Sequence, residues 1–92
     1  MSIQSFRANH PRRAQVNDRL ANQSQRIENG VASGQITRDQ ARQLHQQDRF
    51  VRQEERTMAS QNGSHITRAE QKALNQQLNS LSQDIFTQKH GG

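Results

Sequence analysis

Ninety-two residues are enough for one small domain and no more. Only 28% of them are hydrophobic, the net charge is +5 and cysteine is absent, so disulfides and thiolate metal sites are excluded. No apolar run approaches ~18 residues, and none is therefore suited to crossing a membrane. Leu, Ile, Val and Phe number 16, few enough to raise disorder, yet they recur at helical intervals, which argues for a folded all-α domain. The polar residues are unusual in kind: 16 Gln, 7 Asn, and 11 Arg against 2 Lys.

Residues 1–9 read as a flexible N-terminal leader carrying Ile3 and Phe6. This leader lacks the apolar stretch of a signal peptide, and is the kind of start a mature exported chain would show after cleavage. His10-Pro11 then signals a helix start, because proline fits the first helical position. Val16, Leu20, Ile27 and Val31 lie on one face of a first helix over about 11–33, with Gly34 as its stop. The internal Gly30 is expected to weaken the last turn by up to about 1 kcal/mol.

Thr37 caps a second helix over about 38–61, with Gln40 completing a capping box. Leu44, Val51 and Met58 follow at intervals of seven, with Ala41 and Ala59 beside them. Phe50 falls about 120° from that seam and is expected outside the core. Gly63 ends the helix, and Thr67 with Glu70 opens a third over about 68–87, whose Leu74, Leu78, Leu81 and Ile85 form the cleanest apolar row. Residues 89–92 read as a flexible tail, leaving 10–88 as a single helical domain.

The corner phrases Ile36-Thr37-Arg38 and Ile66-Thr67-Arg68 repeat thirty residues apart, so the two corners are equivalent. Short corners predict an up-down-up three-helix bundle with Ile36 and Ile66 as plugs. Asp48 and Glu55 interrupt the second helix's seam, and pairing with arginines of the first helix is the expected remedy. The thin seam is compatible with a monomer or a weak homodimer.

Candidate chemistry is sparse. Read as calcium loops, the corners put Gly34 or Ser64 sixth and Gln40 or Glu70 twelfth, but the early positions supply no carboxylates. His10, His45, His65 and His90 are far apart, with no i, i+4 zinc pair, so no metal or other cofactor is expected. No phosphate loop, nucleophile elbow or paired catalytic carboxylate appears, so neither an enzyme nor a small-molecule substrate is expected. Arg38, Arg42, His45, Arg49, Arg52 and Arg56 do share one side of the second helix, the arginines within an arc of about 80°. The first helix adds Arg12, Arg19 and Arg26 at intervals of seven. Either stripe suits phosphates, as in a polyanion or nucleic acid, anionic glycolipid or an acidic partner, or is simply a solvated face.

His10-Pro11-Arg12-Arg13, Asp48 to Asn62, Gly63-Ser64-His65-Ile66-Thr67 and Leu74-Asn75-Gln76-Gln77 resemble a group of small exported helical bacterial proteins of uncharacterised function. In that group the second corner commonly has Gly where Ser64 stands. The resemblance implies export, to the periplasm or beyond, and carries no residue roles; composition alone would also fit the cytoplasm. Ile36-Thr37 with Gln40 is similar to the Leu-Thr-x-x-Gln motif of Spy/CpxP-type periplasmic chaperones, which implies binding of unfolded clients. The expectation is a non-enzymatic exported protein with a protein-interaction role, with client binding and polyanion binding as alternatives.

Overall fold

A computed structural model of the protein describes residues 3–91. They form four helices and no strand: α1 (Ile3–Asn9), α2 (Pro11–Ala32), α3 (Arg38–Gln61) and α4 (Arg68–Gly91). The fold is all-α, and none of its helices is long and apolar enough to cross a membrane. α2, α3 and α4 each pack against the other two, while α1 packs on α2.

Two sequence expectations need correction. The leader contains α1, because Phe6 lies under the Arg13 guanidinium (5.2 Å) and against the His10 ring, and Arg7 donates to Asp18 at 2.6 Å. Pro11, lacking an N–H, begins the next helix rather than extending α1. At the other end α4 continues to Gly91, so residues 89–91 of the expected tail are helical. Residues 1, 2 and 92 of the leader and tail lie outside the described residues, as does the side chain of Ile3.

The core joins the three long helices. Val16, Leu20 and Ile27 of α2 meet Leu44 and Val51 of α3 and Leu74, Leu78, Leu81 and Ile85 of α4, and all are buried. Ile36 and Ile66 are both 2% exposed, so each corner sends one side chain inward. Polar contacts fix which residues meet. Arg13 and Glu28 of α2 reach Glu55 and His45 of α3, whereas Gln15, Arg19 and Arg26 reach Asn75, Asn79 and Ser82 of α4.

The two corners repeat in detail. Thr37 Oγ1 accepts from Gln40 N at 3.1 Å and Gln40 Oε1 from Thr37 N at 2.8 Å; Thr67 and Glu70 reproduce both bonds at the same lengths. Thr37→Ala and Thr67→Ala should therefore cost about 1 kcal/mol each, read as urea midpoints. An unchanged midpoint in both would show that these bonds do not cap the helices in solution. Gly34 (φ 79°) and Gly63 (φ 62°) take the left-handed conformation at the turns, and in the second corner Ser64 (φ 72°) does so too.

Gly30 does something the sequence does not show. It is buried, its carbonyl accepts from both Gln35 N and Ile36 N, and a Cβ placed on it would stand 2.7 Å from Ile36 Cγ1 and closer still to Cδ1. The glycine thus admits the Ile36 plug. Gly30→Ala, which helical propensity alone would favour, should destabilise by about 1–3 kcal/mol. Ile36→Val in the same chain should recover part of that loss in thermal melts, and no recovery would place the strain elsewhere.

Candidate protein-docking groove

An open groove of about 540 Å³ is lined by residues of α3 and α4. Its α3 wall is Gln43, Gln46, Gln47 and Phe50, spaced as one helical face, and its α4 wall includes Gln77 and Ser80. Val51 and Leu81, 3% and 1% exposed, form an apolar floor. Phe50 stands at the rim 63% exposed, outside the core as its position on the helix predicts. Among the described residues no titratable side chain lines the groove. An apolar floor, one exposed aromatic and four carboxamides make a surface that buries an apolar side chain while bonding to peptide N–H and C=O groups.

The sequence-derived arginine stripe is only partly free. His45 lies 2.9 Å from Glu28, Arg42 lies 3.9 Å from Asp39, and Arg52 lies 4.0 Å from Asp48. Arg38, Arg49 and Arg56 are exposed and, among the described residues, make no ion pair. The second stripe is held in place but still reaches the surface, Arg12 exposed and Arg19 and Arg26 half-buried. Arg12, Arg19 and Arg26 line the α2–α4 seam and donate to acceptors on α4 or just before it.

The two acids on the α3 seam have different fates. Glu55, 1% exposed, accepts from Arg13 Nε at 2.5 Å, the cross-helix pairing expected from sequence. Among the described residues Asp48, 3% exposed, pairs only with Arg52 of its own helix, and its Oδ1 has no hydrogen-bond partner. Burial pushes the Asp48 carboxyl above its ordinary value, and Arg52 and then His45 pull it partly back. A carboxyl raised by folding adds stability when protonated, and loses that stability as pH rises through its folded value. Asp48→Leu, which would complete the apolar row, should therefore stabilise by about 1–2 kcal/mol at neutral pH. The gain should shrink toward pH 3; a gain independent of pH would mean that the Asp48 charge is not its source.

Folding also unites two histidines that stand 55 residues apart in sequence. His10 and His65 approach to 3.1 Å between Nδ1 atoms, with ring centroids 4.5 Å apart. Desolvation, then the charges of His65 and Arg13, hold the His10 pKa below its ordinary value. Among the described residues no three of His, Cys, Asp or Glu gather as a metal site.

The groove could have been anticipated from Gln43, Gln46, Gln47 and Phe50 at helical spacing, but only α4 shows that they face a floor rather than solvent. Compared with known proteins, the chain matches no family model, no curated protein and no solved structure.

Proposed function

We propose that this is a non-enzymatic, exported or periplasmic helical protein that docks a protein partner through the α3–α4 groove. The long helices are taken to run up, down and up, which sets α3 and α4 antiparallel with the groove between them. The observation that carries the reading is Phe50, an aromatic 63% exposed beside an apolar floor and a glutamine rim. What supports a contact site is the combination, since an aromatic at the rim of an apolar floor ringed by polar groups matches the apolar core and polar rim of protein interfaces.

Peptides selected from a random displayed library against the whole protein should carry an apolar anchor. Phe50→Ala should weaken their binding about thirtyfold, the loss expected for an interface hot spot. Phe86→Ala, at an exposed aromatic away from the groove, should leave it unchanged. Failure to enrich any peptide, or equal binding to Phe50→Ala, would refute the groove. The same glutamine rim adapts readily to varied segments, which favours client binding as the second reading. In that case the protein should suppress aggregation of an unfolded substrate at near-stoichiometric ratio, and Phe50→Glu should not.

A further inference from the structure

The outer face of the α2–α4 seam holds positive charge that, among the described residues, no ion pair compensates. Arg12, Arg19 and Arg26 recur along α2 at steps of about 10 Å, and each is held by neutral acceptors. Arg12 Nη1 donates to the Ile66 carbonyl at 3.4 Å. Arg19 donates to Asn75 Oδ1 at 3.1 Å and Asn79 Oδ1 at 2.9 Å, and Arg26 to Gln23 Oε1 at 2.9 Å and Ser82 Oγ at 2.7 Å. Arg68 and Lys72 on α4 add two exposed cations. Among the described residues no carboxylate lies within 4.0 Å of any of these five; the acids that pair do so with Arg7, Arg13, Arg42, His45 and Arg52.

Neutral acceptors fix the positions of these guanidiniums without cancelling their charge, and each guanidinium keeps spare donors from its five N–H groups. A second observation lies on the same side of α4. Phe86, 54% exposed, follows Asn79 by seven residues and so continues the row of α4 that faces Arg19. Its only ring partner among the described residues is His90, at 4.4 Å.

We propose that this face is a membrane-surface contact site that lies flat on a bilayer rich in anionic phospholipid. Lipid phosphates accept from Arg12, Arg19, Arg26, Arg68 and Lys72, and Phe86 dips into the boundary between headgroup and acyl chain. Charge complementarity supplies the attraction, and the exposed aromatic at the end of the cation row is what singles out a lipid plane. A nucleic acid would engage the cations alone and leave Phe86 unused. Each cation near such a surface raises partitioning about fivefold, and the contact is reversible and weakened by salt.

The test is co-sedimentation of the whole protein with vesicles. Vesicles of equal parts phosphatidylcholine and phosphatidylglycerol should bind it at low salt, and vesicles of phosphatidylcholine alone should not. Arg68→Gln with Lys72→Gln, at two exposed positions that hold no other helix, should weaken binding about twenty- to thirtyfold. Phe86→Ala should weaken it further, while Arg42→Gln with Arg49→Gln and Arg56→Gln on α3 should not. No binding to the anionic vesicles, equal binding to both vesicle types, equal loss in the α3 variant, or a preference for duplex DNA over vesicles would each overturn the proposal.

Discussion

Leu78→Ala should unfold much of the protein at room temperature. Leu78 is fully buried midway along the α4 row, and its carbonyl also receives the buried Gln23 amide at 3.0 Å. Removing three buried carbons and leaving a cavity costs about 2–5 kcal/mol. A domain of this size, with so few large apolar residues, has a total stability of the same order. Loss of helical signal at 25 °C, with recovery in a stabilising osmolyte, is the expected observation. Phe50→Ala is the internal control, because Phe50 is mostly exposed and its loss should move the urea midpoint little. If Phe50→Ala proves the more damaging, α3 is rotated about its axis relative to the structure.

Arg13→Ala should be nearly as harmful, for a different reason. Arg13 is the cation that faces the buried Glu55, and it also donates to the Ser64 carbonyl at 3.2 Å and covers Phe6. Its removal strands a carboxylate that is 1% exposed, and breaking such a pair costs about 3–5 kcal/mol. Glu55→Ala should cost less, because the Arg13 side chain is 18% exposed and can turn toward water. Replacing both, as Arg13→Met with Glu55→Leu, should restore most of the loss, since an apolar pair of similar volume needs no desolvation. Chemical denaturation of the four proteins reads the order directly. Equal costs for the two single variants, or no recovery in the double, would contradict this account of the pair.

The long helices were legible because their signals are local. Capping boxes at Thr37 and Thr67, proline at position 11 and apolar rows at helical spacing each act within a turn or two, and the helix starts fall where they indicate. What escaped was set by contacts distant in sequence. Residues 3–9 carry little helical pattern of their own, and α1 depends on Arg13 and Asp18 of α2. Gly30 looked like a propensity defect because its meaning resides in Ile36, beyond the turn. Arg12, Arg19 and Arg26 were visible as a stripe, but no spacing rule says that carboxamides and a hydroxyl of α4 would hold two of them in place. The groove was half legible: α3 announces Gln43, Gln46, Gln47 and Phe50 as one face, while its floor is completed by Leu81 on a different helix.

The proposed docking of a protein partner rests on the α3–α4 groove. A photoreactive residue at position 47, on the rim beside Phe50, tests it most directly in the cell that makes the protein. Irradiation should give a discrete covalent adduct with one protein partner. The adduct should be absent from the same chain carrying Phe50→Glu and from a chain with the photoreactive residue at position 76, on the other side of α4. No adduct from position 47, or adducts of equal yield from both positions, would contradict a docking groove between α3 and α4.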